Sequence, residues 1–320
     1  MRILSRPAAL AALLVAAVPA LVTAQPAGAA EVPGAGVLSV ETVAPGVHAI
    51  VGPMEQRSPE NLGNNATFGA VETDAGVVLI DSGAGPAAAR ALEAALGRVT
   101  DAPVTVVINT GGQDHRWLGN GYFKDKGARI IASEAAVADQ ENRFTDQAVR
   151  LRALVGDDFA ETLEPVTADE TFTGEHRMTV GGVDLVLEHA APAHTPGDAH
   201  VWLPGSDVVF SGDIVYMDRM LGVGSQSNSR SWIEAFDAMA ARDPAVVVPG
   251  HGHPGSLEKA RAETRDYLTF LREKVGAVLD SGGGAIEAAR VPQEPFMHLR
   301  VAEQIAGRNA QQVYTEMEWE

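Results

Sequence analysis

Four short loops constrain this chain more than any other feature. Each follows a β-rich apolar run, and each carries a His or an Asp. Gly111-Gly112-Gln113-Asp114-His115-Arg116 follows residues 103–109. Ala193-His194-Thr195-Pro196-Gly197 comes after 183–188. Ser211-Gly212-Asp213 follows 208–210, and Pro249-Gly250-His251-Gly252-His253 follows 246–248. Short runs rich in β-branched residues read as strands, and 103–109 reads as one buried on both faces. Imidazoles and carboxylates at the ends of neighbouring strands can converge on one point, which is how a metal site is assembled from residues far apart in sequence.

The rest of the chain alternates strand and helix. Residues 37–51 read as strand with a turn at Pro45-Gly46, and 66–72 with 76–81 as a hairpin around Thr73-Asp74-Ala75. Residues 86–99 form an Ala-rich helical pattern with Leu92 and Leu96 on one face, and Pro86 suits its first turn. A strand is expected at 128–132, a helix at 134–155, and β structure from 171 to 210. Helices follow at 231–241 and 256–279, the second opened by Ser256 and closed by Gly282-Gly283-Gly284. A last helix covers 300–314. Hairpins and helix-separated strands in one chain point to an α/β fold of mixed sheets with helices outside.

Residues 1–30 read as a secretory signal peptide. Arg2 and Arg6 flank the start of an apolar stretch, and small residues offer cleavage near 24 or 29. That stretch is short for a membrane span and is broken by Pro19. Export makes the expected location the periplasm, with no membrane insertion after cleavage. Residues 31–280 form the main domain and 281–320 a C-terminal helical extension. There is no cysteine, hence no disulfide framework. With 42 acidic against 24 basic residues, the chain is a poor partner for nucleic acid or anionic membranes. A small-molecule substrate is expected instead.

The four loops, in this order and at these spacings, resemble the metallo-β-lactamase superfamily over about residues 40–255. Gly76-Val77-Val78-Leu79-Ile80-Asp81-Ser82-Gly83 looks like the family's strand before its first helix. His194-Thr195-Pro196-Gly197 looks like its third motif, Phe210-Ser211-Gly212-Asp213 its fourth, and Val248-Pro249-Gly250-His251-Gly252 its fifth. The C-terminal segment, with Gly307-Arg308-Asn309, looks closest to periplasmic members associated with quinoprotein or sulfur-oxidation systems. The resemblance implies a four-layer αβ/βα sandwich of two mixed sheets with a metal-dependent hydrolase site at one edge.

The second motif departs from the family's His-x-His-x-Asp-His. In the ungapped register, Gly111 and Gln113 stand for the first two His, His115 for the Asp, and Arg116 for the last His. A one-residue slip instead keeps Asp114-His115 as the Asp-His pair. Either way two imidazoles are gone. The resemblance leaves His194, Asp213, His251 and at least one of Asp114 and His115 as ligands, enough for one metal, zinc or alternatively iron, with an open position. It implies attack of metal-bound hydroxide on an ester, thioester, lactone or amide carbonyl, with Asp114 or Asp213 orienting the water or taking its proton. Arg116 is expected either to hold a substrate anion, beside Gln113, or to pair with Asp114 or Asp213. Asn64 and Asn65 read as amide donors to substrate or as turn residues. The segment 217–230 reads as a lid or as core packing through Met217 and Met220. A catalytically impaired binding protein and an iron-dependent redox or sulfur enzyme on the same fold are the rival readings.

Overall fold

The computed structural model describes residues 32–156 and 163–320. The leader expected at 1–30 therefore lies outside the described residues. Strands β1 (Ser39–Ala44), β2 (Val47–Val51), β3 (Thr67–Thr73) and β4 (Gly76–Ile80) run antiparallel as a meander. After helix α1 (Pro86–Leu96) comes β5 (Val104–Asn109), parallel to β4. Two short helices, α2 (Asp114–Trp117) and α3 (Asn120–Lys124), lead to β6 (Arg129–Ser133). The long helix α4 (Glu134–Val155) is capped by Ser133, and β7 (Glu170–Phe172) completes a seven-stranded sheet.

The second sheet has five strands. In chain order they are β8 (Glu175–Val180), β9 (Val183–Glu188), β10 (His200–Leu203), β11 (Val208–Phe210) and β12 (Val246–Val248). All pair antiparallel except β11 with β12. Helix α5 (Ser229–Ala240) separates those two. Helix α6 (Leu257–Ala260) continues through a π turn at Arg261–Arg265 into α7 (Asp266–Asp280). The chain ends with α8 (Ala285–Ala288) and α9 (Ala302–Met317).

The two-residue strand period explains the layers. On β4 and β5, Val78, Ile80, Val106 and Ile108 point into the space between the sheets, while Val77, Leu79 and Val107 join Leu92 and Trp117 under the helices. On the other sheet, Val208, Phe210 and Val248 face inward, and Val209 and Val247 pack beneath α5, α7 and α9. The result is the expected αβ/βα sandwich. Residues after 281 share the outer cluster through Ile305, Ala310, Val313 and Tyr314. Met217 and Met220 are fully buried in that cluster, so they pack core rather than form a lid.

Because β4, β5, β11 and β12 all leave their sheets at one edge, the residues just beyond them meet there, as is general for parallel strand ends. Trp232 of α5 supports that edge from behind. It is fully buried, donates from Nε1 to Ile214 O at 2.8 Å, and sits against the rings of Tyr216 and His194. Trp232→Ala should cost about 3–5 kcal/mol of stability, read as a lower urea midpoint at unchanged slope.

Candidate metal centre

His115, Asp213 and His251 each present a ligand atom, and the three atoms lie within 4.8 Å of one another. His115 stands on α2, immediately after the Gly111-Gly112 turn. Asp213 sits on the 3-10 turn Gly212–Ile214 beyond β11, and His251 follows β12. His115 Nε2 is 3.4 Å from Asp213 Oδ2, and His251 Nε2 is 3.3 Å from Oδ1. All three side chains are buried. It is His115 that reaches the cluster; Asp114 turns toward Arg57 instead.

The surroundings test this donor set for a cation. His251 gives its Nδ1 proton to Asn65 O at 2.8 Å, and His194 gives its own to Gly222 O at 2.9 Å. Both Nε2 lone pairs are thereby left for another partner, the usual arrangement behind a ligating His. Burial lowers the His194 pKa to about 4 and that of His251 well below its ordinary value, so both rings are neutral. His115 Nε2 is buried with no hydrogen-bond partner. On its other side, Nδ1 lies 3.3 Å from Asp114 Oδ1 and 2.6 Å from Arg57 Nη2. Asp114 favours the proton on Nδ1, which suits a ligand; Arg57 competes with that tautomer. Two imidazoles, one with an orphaned buried nitrogen, and a carboxylate fit a single divalent ion. His194 lines the same cavity but stands outside the three-atom group.

Arg116 is the residue whose placement departs most from its expected position at the mouth. Its side chain is 0 % exposed and does not line the cavity. Nε and Nη2 donate to both oxygens of Asp213 at 3.1 and 2.7 Å, and Nη1 donates to Asp81 Oδ2 at 2.8 Å. The remaining donors reach Thr67 O and Gly250 O. A guanidinium so committed cannot also hold substrate. Of the two expected roles, the salt bridge to Asp213 is the one the geometry has. Gly250 permits it, because a Cβ there would stand 2.7 Å from Arg116 Nη2 and closer still to Gly212 O.

Other expected residues divide. Asp114 is buried, lies outside the cavity wall, and is paired with Arg57 at 2.5 Å. Burial would raise its pKa, but Arg57 and His115 prevail and hold it well below the usual carboxylate range. It pairs with Arg57 and lies against His115. Asp213 is likewise held well down, by Arg116 and His115 against burial. Asn64 is structural: its Nδ2 donates to Ala88 O and its Oδ1 accepts from Ala84 N. Asn65 and Gln113 do line the cavity, and each leaves a buried side-chain oxygen unpartnered. His253 pairs with Glu41 at the surface, and His200 is buried within β10.

Sequence reasoning missed Arg57, Tyr216, Arg219 and Asp198. Asp198 explains Gly111: a Cβ at that glycine would run into Asp198 Oδ1, so an imidazole does not fit. Asp198 is buried and accepts from Thr195 N at 2.7 Å. Burial, with Asp213 nearby, pushes its pKa up to about 8.

Two outcomes follow. Arg116→Met leaves two buried carboxylates facing each other and should cost about 3–5 kcal/mol at neutral pH. The loss should shrink as pH falls below ~4, where the unfolded chain takes up the proton that Asp213, paired with Arg116 in the folded protein, binds more weakly. Equal urea midpoints for wild type and variant would refute the pairing. Asp198 binds its proton more tightly folded than unfolded, from 3.8 to about 8. Its contribution is therefore full below pH ~4 and is lost as pH rises through 8. Asp198→Asn should give a shallower fall in thermal midpoint across that window; an unchanged slope would show the carboxyl ionised throughout.

Comparison with known proteins agrees with this architecture. The family model "Metallo-beta-lactamase superfamily" matches residues 63–251. A linear primary-alkylsulfatase from Pseudomonas sp. (strain ATCC 19151) is 20% identical over 253 residues, 66% of this chain and 47% of the relative. A type 2 metallo-beta-lactamase from Bacteroides fragilis is 23% identical over 144 residues, 44% of this chain and 50% of its own length. The chain thus spans about half the length of these curated relatives. Among solved structures, the stereoselective inverting sec-alkylsulfatase Pisa1 from Pseudomonas sp. superposes with TM-score 0.66 at 20% identity, over 87% of this chain and 50% of that one. With the model covering more than half its length, and both sheets and the strand-end cluster in place, the chain belongs to the metallo-beta-lactamase superfamily.

Proposed function

We propose that this protein is an exported, periplasmic metal-dependent hydrolase that works on a small-molecule ester, thioester, lactone or amide with one metal ion, zinc by preference and iron as the alternative. The observation that carries the reading is the convergence of His115, Asp213 and His251 beside a cavity of about 550 Å³. A cavity of that size takes a small organic molecule. Two His and one carboxylate are the protein ligands of several catalytic zinc sites and of non-haem iron sites. When bound, such an ion supplies Lewis acidity and water ionised near neutral pH.

The chain's own residues supply the rest. His115 and His251 line the cavity, while Asp213 lies behind them, its charge met from the rear by Arg116. Tyr216 also lines the cavity. Burial and the nearby Asp213 raise its pKa well above the ordinary value, so its hydroxyl stays protonated and is available to donate to a developing oxyanion. Neutral His194, at the same wall, is a proton acceptor or an additional ligand.

The rival reading, a binding protein without turnover, also has an observation behind it. Arg116 already neutralises Asp213, and Gly111 has no room for an imidazole. Metal content separates the two. Elemental mass spectrometry of the zinc-reloaded protein should find about one metal per chain, lost in His251→Ala while the fold survives. Ester hydrolysis should be lost in the same variant. Absence of stoichiometric metal after reloading would overturn the hydrolase reading; stoichiometric iron in the protein as purified would move it to redox chemistry.

A further inference from the structure

The cavity carries a charge pattern opposite to that of the chain. The protein has 42 acidic and 24 basic residues, yet among the described residues no Asp or Glu lines the cavity and four arginines do: Arg57, Arg150, Arg219 and Arg308. Of these, Arg57 has a described carboxylate partner, Asp114. Among the described residues, no carboxylate oxygen lies within ion-pair distance of the other three.

Arg219 is the informative one. It is 6 % exposed, and its guanidinium is tethered by uncharged acceptors alone, Met54 O at 2.7 Å and Gln56 Oε1 at 3.2 Å. Burying a guanidinium without a counter-ion is costly. Burial accordingly lowers its pKa, and Arg57 adds repulsion, against the opposing pull of Tyr216, Asp213 and Glu55, none of which lies within ion-pair distance of it. A fold that keeps a cation there, against a cavity wall, leaves its compensation to whatever enters the cavity. Arg150 and Arg308 are exposed and stand on α4 and α9. Ile305, Arg308 and Gln312 recur at helical spacing on α9, and Leu154 lies one turn beyond Arg150 on α4. With Val223, Leu154 and Ile305 give the cavity an apolar wall beside its cations.

We infer that the cavity recognises an organic oxyanion, a sulfate, phosphate or carboxylate group on a short apolar body, with Arg219 binding the anionic group and Arg150 and Arg308 steering it inward. The inference deepens the hydrolase reading, and rests on it only for calling the ligand a substrate; binding itself needs no turnover. Charge-assisted hydrogen bonds to the oxyanion would meet the donors Arg219 has spare, and Leu154, Val223 and Ile305 would cover the apolar part.

The test is isothermal titration of the protein, zinc-loaded and chelator-treated, with hexyl sulfate, hexyl phosphate, hexanoate and neutral hexanol at low and high salt. At least one anion should bind about tenfold or more tighter than hexanol in both forms, and its affinity should fall with salt. Comparison of the three anions identifies the head group. Arg219→Gln should erase the preference, Arg219→Lys should keep part of it, and exposed Arg308→Gln should reduce the salt dependence without touching the core. Circular dichroism checks the fold of each variant. Should Arg219→Gln not fold, the anion–hexanol comparison in wild type and the salt response of Arg308→Gln still decide. The inference fails if no anion outbinds hexanol, if Arg219→Gln binds anions as wild type does, or if anions bind only with metal present and regardless of Arg219. Anion binding without any hydrolysis would uphold it while the hydrolase reading fell; hydrolysis of neutral esters without anion preference would do the reverse.

Discussion

The guanidinium of Arg116 is the point on which this sandwich turns. It joins Thr67 O, beside the start of β3, to Asp81 beyond β4, Asp213 beyond β11 and Gly250 O beyond β12. One buried side chain thus stitches the strand ends of one sheet to those of the other. Isolated, any of these charges would be prohibitively expensive to bury. Together, five donor contacts and two carboxylates satisfy the planar fork of an arginine in a way a lysine cannot. The ion network is weak evidence for net stability, since apolar packing of the same volume could do as well. Its contribution is registry: the strand ends stay at fixed spacing, and the ligand atoms stay within 4.8 Å of one another.

The same arrangement sets the electrostatics of the edge. Asp213 is ionised because Arg116 stands behind it, and it in turn faces His115 and His251. Asp198, close enough to feel Asp213 but without its own cation, takes up a proton instead. A separate set of arginines, two of them enclosed and two exposed, lines the cavity wall. Beside the cluster, Asp198 occupies the space a side chain at Gly111 would need, and both Asp213 oxygens accept from Arg116.

Most of the fold was legible from period and punctuation. The β-branched runs, the turn at Pro45-Gly46 and the Ser256 cap all recur as strands, a turn and a helix start. The helix 134–155 is found at those bounds. The clustering of His115, Asp213 and His251 was legible because parallel strands deliver their last residues to one edge, so a His or Asp in a Gly/Pro loop after a strand is already placed. What could not be read was which way a side chain turns within such a loop. Asp114, His115 and Arg116 are consecutive on one short helix, and consecutive helical residues point about 100° apart. One meets Arg57, one meets the cluster, and one is buried between the sheets; no spacing in the sequence distinguishes them.

Arg57 and Arg219 were hidden for a different reason. Both lie in irregular segments, where neither period two nor period 3.6 applies, and both act across long sequence separations, Arg57 on Asp114 and Arg219 on Met54. A polar residue in a loop reads as solvated by default. Only the surrounding tertiary contacts show Arg219 enclosed without an acid. The contrast with Arg116 is instructive. Both are buried arginines, but one is closed by two carboxylates and is finished structurally, while the other is held by a carbonyl and an amide and is left electrostatically open. Sequence chemistry is the same in the two cases; the difference in role comes entirely from which acids the fold brings within reach.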